Sequence, residues 1–207
     1  LIGRKVKDAF LPLLEREIQR MVGENALVCN SYVHMVNEKH FRRVCGLIDP
    51  DKVIFGGQAD ERTLRIQPTI MDRVTADDAV MQEEIFGPLL PVIAYDSIDE
   101  ALAFVNNREH PLALYLFSED PALQKCVLAS VPFGGGCIND TIVHLATSRM
   151  GFGGVGHSGM GSYHGKKSFD TFSHEKSVLK KSTRIDMPVR YMPYTPLKDR
   201  LLRVFLR

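Results

Sequence analysis

Long apolar runs and an excess of charge of one sign are both missing from this sequence of 207 residues. No stretch approaches the roughly 20 apolar residues that cross a bilayer, and the amino terminus lacks the pattern of an export signal. Lysine and arginine number 26 against 25 aspartates and glutamates, so the net charge of +1 offers no field for capturing nucleic acid. We therefore expect a cytoplasmic protein that binds no nucleic acid.

Paired cysteines and metal-binding histidine patterns are missing as well. None of the four cysteines, Cys29, Cys45, Cys126 and Cys137, has Cys-x-x-Cys spacing, which favours reduced thiols over disulfides or zinc. The seven histidines form neither His-x-x-x-His nor His-Glu-x-x-His. We expect no metal site.

Helical spacing marks two segments early in the chain. Residues 4 to 22 have an amphipathic pattern that Pro12 complicates, with apolar positions Val6, Phe10, Leu13, Leu14 and Ile18. A second helix is predicted over residues 37 to 48, where Asn37 can cap the free amides and the inward stripe is Phe41, Val44 and Ile48.

Strand patterns alternate with helices in the rest of the chain. Residues 52–55 and 64–71 are predicted as strands around the turn Gly56-Gly57, followed by strands over 89–95, 112–117 and 134–138. Ser97 with Glu100 indicates a capping box for a helix to Asn107, and Asp120-Pro121 starts a helix with Leu123, Val127 and Leu128 inward. This alternation predicts an α/β fold with a parallel sheet and crossover helices, and places function at the carboxyl ends of its strands.

The segment Glu83-Glu84-Ile85-Phe86-Gly87-Pro88 crowds two carboxylates, an aromatic ring and a turn together. A carboxylate offers acceptor oxygens that suit the paired hydroxyls of a ribose, and in a strand Phe86 would lie on the same side as Glu84. The alternative is a solvated acidic turn followed by a core phenylalanine. These six residues alone favour the alternative, because short motifs are often misleading.

The glycine block at 151–156 formally satisfies G-x-G-x-x-G. A dinucleotide fingerprint needs a strand before it and an apolar helix after it, whereas residues 147–150 are a poor strand and the glycines continue. Nucleotide binding by this loop alone is therefore disfavoured. The glycines suit a loop that wraps closely around a site.

Four blocks in one order carry a resemblance to a known family: residues 80–88, 108–115, 138–140 and 151–169. On these blocks, residues 10 to 190 resemble the later part of the class 3 aldehyde dehydrogenases. The resemblance implies oxidation of an aldehyde with NAD or NADP, with Glu84 binding the nicotinamide ribose and Phe86 packing beside the ring. It also implies a substrate pocket wall of Ile142, Leu145, Phe152 and His164.

Ordinary core packing is an equally good interpretation of Ile142 and Leu145, and we expect His144 between them to be solvated or hydrogen bonded. The family's cysteine nucleophile stands in a Gly-Gln-x-Cys block that this chain lacks, and its base is absent too. We therefore expect part of an enzyme, with no catalytic residue of its own and no turnover alone. The alternative is a non-catalytic dimerising or interaction module derived from the same fold.

The resemblance to this family also divides the chain into three regions. Residues 1–170 are predicted as part of the catalytic α/β domain, 171–183 as a strand that associates subunits into a homodimer, and 184–207 as a tail. The tail combines a proline-rich linker with a short basic amphipathic helix of apolar residues Leu201, Leu202, Val204, Phe205 and Leu206. Such a helix could contact a membrane surface or a partner, although packing on the protein is the commoner arrangement.

Overall fold

The computed structural model describes residues 1 to 205. In these residues short strands alternate with helices, and 3₁₀ turns connect several of them. The helices are α1 (Arg4–Val22), α2 (Glu38–Cys45), α3 (Ile98–Asn106), α4 (Pro121–Ser130), α5 (Gly165–Thr171) and α6 (Pro196–Phe205). The strands are β1 (Ile2–Gly3), β2 (Val53–Phe55), β3 (Ala59–Asp60), β4 (Arg65–Ile66), β5 (Thr69–Met71), β6 (Leu89–Pro91), β7 (Ala94–Tyr95), β8 (Ala113–Leu116) and β9 (Gly135–Ile138).

Parallel pairing dominates the sheets, which confirms the predicted α/β class. Strands β5 and β6, β8 and β9, and β1 and β7 pair in parallel, whereas β2 with β5 and β3 with β4 are antiparallel. The expected strand over 64–71 is interrupted at Gln67-Pro68, because proline cannot donate to a ladder. The expected strand over 89–95 is likewise two strands in different sheets, and β7 bonds to β1 rather than to β8.

Helix α1 has the predicted bounds, but its inward face is only partly the expected one. The residues that pack on Ile70 of β5 and on Val92, directly after β6, are Leu11, Leu14 and Ile18. A neighbouring stripe stays exposed and consists of Val6, Phe10 and Leu13. Both stripes have helical spacing, so periodicity alone could not tell which of them the sheet would cover.

The predicted caps of the later helices are present. The Asn37 side chain accepts a hydrogen bond from the His40 amide at 2.8 Å, and Ser97 accepts from the Glu100 amide at 3.2 Å. Helix α2 ends at Cys45, before the predicted Ile48, and Leu128 of α4 is exposed although it was expected to face inward. A single turn of apolar spacing leaves that orientation open.

The main core lies between α2 and the sheet of β2, β5 and β6. Its buried side chains come from α2, the strands and the segments around them: Met35, Phe41, Val44, Ile66, Met71, Val74, Val80 and Leu89. Ile85 packs against this cluster. The segment that contains Glu84 and Phe86 therefore has a rigid support beneath it.

The carboxyl-terminal part is more open. Residues 173 to 181 form no strand, because no other segment of the described chain lies beside them as a ladder partner. Their predicted role in subunit association stays a prediction. The tail helix is present as α6, while Leu206 and Arg207 of the predicted helix lie outside the described residues. No helix among residues 1 to 205 is long and apolar enough to traverse a bilayer.

Tyr32 provides a test of the packing between the loop before α2 and strand β4. Its hydroxyl donates to the Ile66 carbonyl at 2.8 Å, and burial raises the pKa of Tyr32 to about 12. The unfolded chain loses this proton near pH ~10, so the stabilising contribution is present below that pH and is lost as the pH rises through the folded pKa.

We expect the free energy of unfolding to fall more steeply between pH ~10 and ~12 in the parent chain than in Tyr32→Phe, which has no phenolic proton. Urea denaturation of both chains across this interval measures the difference. Equal slopes for the two chains would show that Tyr32 does not titrate differently on folding.

Candidate functional site

The 83–86 segment forms an irregular loop on the outside of the core. It is not a strand, and Phe86 has a φ of +48°, so the alternation expected to align Glu84 with Phe86 is wrong. The expectation failed because the loop follows contacts with α2 rather than a ladder. Phe86 is 74% exposed, which also excludes a core phenylalanine.

Arg43 of α2 binds this loop at three points. Its guanidinium pairs with the Glu83 carboxylate at 2.8 Å and donates to the Glu84 carbonyl at 3.3 Å. It also donates to the Ile85 carbonyl. One side chain thus binds three successive residues of the loop.

His40, one helical turn before Arg43, binds the next residue. Its Nε2 lies 2.8 Å from the Phe86 carbonyl oxygen, and its ring lies edge-on to the Phe86 ring at 6.2 Å between centroids. Gly87 follows with no room for a side chain, because a Cβ there would lie 2.8 Å from Cγ1 of Val44. The loop therefore lies directly on α2.

The two carboxylates of the loop differ in what they bind. Glu83 is neutralised by Arg43, whereas in residues 1 to 205 no side chain pairs with the exposed Glu84 carboxylate. Glu84 lines a groove with Glu83, Arg108 and Glu109, whereas Phe86 lines neighbouring pockets with His40. A free carboxylate offers acceptors for sugar hydroxyls, and an exposed aromatic side chain offers a surface for a flat ring. Each side chain therefore has the chemistry for one part of a dinucleotide, the ribose for Glu84 and the nicotinamide for Phe86.

A second cluster lies against β9, where His144 contacts the strand at Cys137. Phe152 and His164 lie 5.9 Å apart between ring centroids, and Phe152 also contacts His144 at 6.0 Å. Tyr115 of β8 contacts His144 from the other side at 5.8 Å. The fold thus brings together two of the four residues expected in the pocket wall and adds two aromatic side chains that were not expected there.

We expected His144 to be solvated or hydrogen bonded. At 7% exposure it is not solvated, and a contact with Cys137 supports the second alternative. Its Nδ1 lies 3.5 Å from Cys137 Sγ, and its Nε2 is buried with no hydrogen-bond partner in the described part of the chain. Gly135 leaves the space for the ring, since a Cβ there would lie 3.1 Å from His144 Cδ2. A lone histidine in a loop pattern carries no signal of this arrangement, because the contacts depend on how β8 and β9 pair.

Ile142 and Leu145 flank His144 and differ in exposure. Ile142 is exposed with a φ of +64°, whereas Leu145 is half-buried. Core packing therefore does not account for Ile142. A β-branched residue in the left-handed region is uncommon and marks a position that the surrounding structure imposes.

The glycine block forms a closed loop without a dinucleotide fold around it. Phe152 and Tyr163 exchange backbone hydrogen bonds of 2.8 and 2.9 Å, and only a 3₁₀ turn, Gly156–Ser158, lies between them. Within residues 1 to 205, β9 ends at Ile138, well before the block, and the next α-helix, α5, begins only at Gly165 and is mostly polar. The block therefore lacks the strand directly before it and the apolar helix directly after it that a dinucleotide fingerprint requires.

A polar groove lies between the 83–86 loop and residues 107–109. Its lining includes Glu83, Glu84, Arg108 and Glu109. Glu109 lies 2.6 Å from Nδ1 of His157, which belongs to the glycine loop. Glu109 thus lines the same groove as Glu84 and also contacts the glycine loop. Across residues 1 to 205 no three side chains of His, Cys, Asp or Glu are grouped as a metal site.

Comparison with known proteins gives consistent matches. Residues 1–178 match the model of the aldehyde dehydrogenase family. The chain is 48% identical over 196 residues to 4,4'-diaponeurosporen-aldehyde dehydrogenase of Staphylococcus aureus, covering 94% of this chain and 43% of that protein. It is 45% identical over 184 residues to the mouse (Mus musculus) "aldehyde dehydrogenase, dimeric NADP-preferring", covering 89% of this chain and 41% of that protein.

A solved structure of Staphylococcus aureus AldH in its substrate-bound state is similar over the whole chain. The TM-score is 0.94 at 46% identity, with 100% of this chain and 45% of that chain covered. The chain spans less than half the length of the relatives that it matches.

Proposed function

The chain belongs to the aldehyde dehydrogenase family, and on this premise we propose that it forms part of an enzyme that oxidises an aldehyde to a carboxylic acid with NAD or NADP. Glu84 and Phe86 hold the nicotinamide side of the site. Ile142, Leu145, Phe152 and His164 form part of the wall on the aldehyde side. The nucleophilic cysteine belongs to polypeptide outside these 207 residues, so the isolated chain has no turnover.

The observation that carries this proposal is the division between the two adjacent carboxylates. Arg43 pairs with the Glu83 carboxylate, whereas no side chain within residues 1 to 205 pairs with that of Glu84, which lies two residues before the exposed Phe86. A carboxylate that accepts hydrogen bonds from two ribose hydroxyls fixes the sugar, and a neighbouring ring restricts the tilt of the nicotinamide. The cofactor supplies the hydride acceptor, and this chain supplies its orientation.

The wall residues support a role in excluding water. Phe152 presents an aromatic ring against His144 and His164, and Ile142 presents an exposed apolar side chain from a constrained backbone. An apolar wall limits the access of water to a reactive intermediate. This supports placing the aldehyde beside the glycine loop.

Homodimer formation is part of the proposal. The mouse relative is described as dimeric. Residues 173 to 181 are exposed and have no ladder partner in the described chain, so their backbone groups are available to the edge of a sheet in another subunit. We propose that residues 171–183 associate in this way.

The cofactor role of Glu84 predicts the effect of Glu84→Gln in the complete enzyme that the natural reading frame encodes. Removing charge-assisted hydrogen bonds to two hydroxyls should lower kcat/KM about tenfold or more. Glu119→Gln, an exposed carboxylate between β8 and α4, serves as the matched control and should leave kcat/KM unchanged. Initial rates of NADH or NADPH formation provide the measurement, and equal rates for Glu84→Gln and the parent would exclude the proposed contact.

Two observations separate this proposal from a non-catalytic module. Reading the coding sequence upstream of Leu1 should reveal a Gly-Gln-x-Cys segment in frame. Calorimetric titration of the 207-residue chain with NAD should show no binding, because only one side of the site is present. Clear binding to the chain alone would favour a free-standing module instead.

A further inference from the structure

Three successive carbonyl oxygens of the 83–86 loop accept hydrogen bonds from side chains of one helix. Those of Glu84 and Ile85 accept from Arg43, and that of Phe86 faces His40 Nε2 at 2.8 Å. Consecutive carbonyls in an exposed loop are normally satisfied by water. Their capture by two side chains on one face of α2 determines the path of the backbone.

Arg43 and His40 are also bonded to each other, which fixes the roles of the histidine nitrogens. Arg43 Nε lies 3.2 Å from His40 Nδ1 and can only donate, so Nδ1 accepts and Nε2 carries the proton donated to Phe86. Spacing of three residues on a helix places both side chains on the same face. Arg43 and His40 therefore bind the loop together, from one face of α2.

The backbone conformation that Arg43 and His40 stabilise is unfavourable for an isolated loop. The φ of +48° at Phe86 is uncommon for a bulky residue with a Cβ. Such a conformation persists only where the surroundings impose it. The Arg43–His40 pair and the tight contact of Gly87 with Val44 are those surroundings, and Arg43, His40 and Val44 all belong to α2. Both hold the ring outward, where it is exposed.

We propose that Arg43 is a positioning residue that determines the positions of Glu84 and Phe86. The inference rests on the proposed function for its consequence in catalysis, but its structural half is independent of any cofactor. The guanidinium is required because only its fork reaches the Glu83 carboxylate and two carbonyl oxygens together. Arg43→Gln removes the guanidinium group with its charge, and Arg43→Lys keeps a positive charge without the paired N–H donors of the guanidinium.

The chain contains no tryptophan, so Phe86→Trp introduces a single indole at the loop. In this background we expect Arg43→Gln, and more weakly Arg43→Lys, to lower the fluorescence anisotropy of the indole and to raise its quenching by acrylamide. Arg42→Gln is the matched control, because Arg42 is the preceding residue but pairs with Glu61 at 2.9 Å on the other side. Unchanged anisotropy in both Arg43 variants, with the parent thermal midpoint, would overturn the proposal.

Kinetics in the complete enzyme, with Phe86 retained, test the consequence. A displaced loop should lower kcat about tenfold in Arg43→Gln while the KM for the aldehyde changes little, because orientation rather than aldehyde binding is lost. Arg42→Gln should retain the parent kcat. A mobile loop with an unchanged kcat in Arg43→Gln would separate the loop from catalysis and overturn the catalytic half of the proposal. Failure of the proposed function would instead appear as parent kinetics in Glu84→Gln.

Discussion

Replacing Gly136 by alanine is expected to separate β9 from β8 and to lower the free energy of unfolding by about 3 kcal/mol. A Cβ at this position would overlap the Leu114 carbonyl oxygen, which belongs to the paired strand. A backbone atom held in a ladder cannot rotate away as a side chain could, so the strands themselves must move apart. The contact of Tyr115 with His144 depends on the same pairing.

Chemical denaturation of the parent, Gly136→Ala and Gly3→Ala measures this effect. Gly3 is the matched control, because a Cβ there would meet its nearest atoms at 3.8 Å and its φ is −61°. We expect Gly3→Ala to change the free energy of unfolding by less than about 0.5 kcal/mol. Equal stability of the two variants would show that β9 can shift without cost and that the pairing of β8 with β9 does not hold the aromatic cluster.

The second large effect is expected for Lys7→Met, which removes the partner of a buried carboxylate. Lys7 Nζ of α1 lies 2.7 Å from Asp72 Oδ2 just after β5, and the two side chains are only 15% and 14% exposed. Burial opposes the charge of Asp72, but the hydrogen bond and positive charge of Lys7, helped by the neighbouring Arg73, outweigh it and hold the pKa of Asp72 below its usual range. Losing Lys7 leaves that charge uncompensated, at a cost of about 3 kcal/mol.

The pH dependence has a definite sign. Because the folded pKa of Asp72 is lowered, its contribution is present above the unfolded pKa and is lost as the pH falls through the folded pKa. The difference in unfolding free energy between the parent and Lys7→Met should therefore be largest near neutral pH and shrink in acid. A difference that is independent of pH would assign the effect to packing of the lysine stem instead.

Arg20→Met provides the control for this prediction. Arg20 pairs with Glu17 at 2.6 Å on the same helix, but the two side chains are 67% and 46% exposed. Solvent screening limits such a pair to less than about 1 kcal/mol. The double variant Lys7→Met with Asp72→Leu should recover most of the loss, because replacing both charges by apolar groups leaves no buried ion.

Much of the local structure could be predicted from the sequence. The bounds of α1, the caps at Asn37 and Ser97, and the alternation that identifies the α/β class all depend on residues a few positions apart. The observed strand boundaries differ from the predicted ones where a proline or a short apolar run interrupts the pattern, as at Gln67-Pro68. The family matches confirm the resemblance carried by the four sequence blocks. The roles of Glu84, Phe86, Ile142, Leu145, Phe152 and His164 stay predictions.

By itself, the sequence determined the helix caps, the strand and helix alternation and the family. Only the tertiary structure decided that Glu83 is paired while Glu84 has no side-chain partner within residues 1 to 205, that Leu11 rather than Val6 faces the sheet, and that His144 is buried. The reason is physical. Caps and periodicity arise from neighbours within one or two turns, whereas these outcomes depend on contacts across the fold, such as that of Arg43 with a loop some forty residues further along the chain.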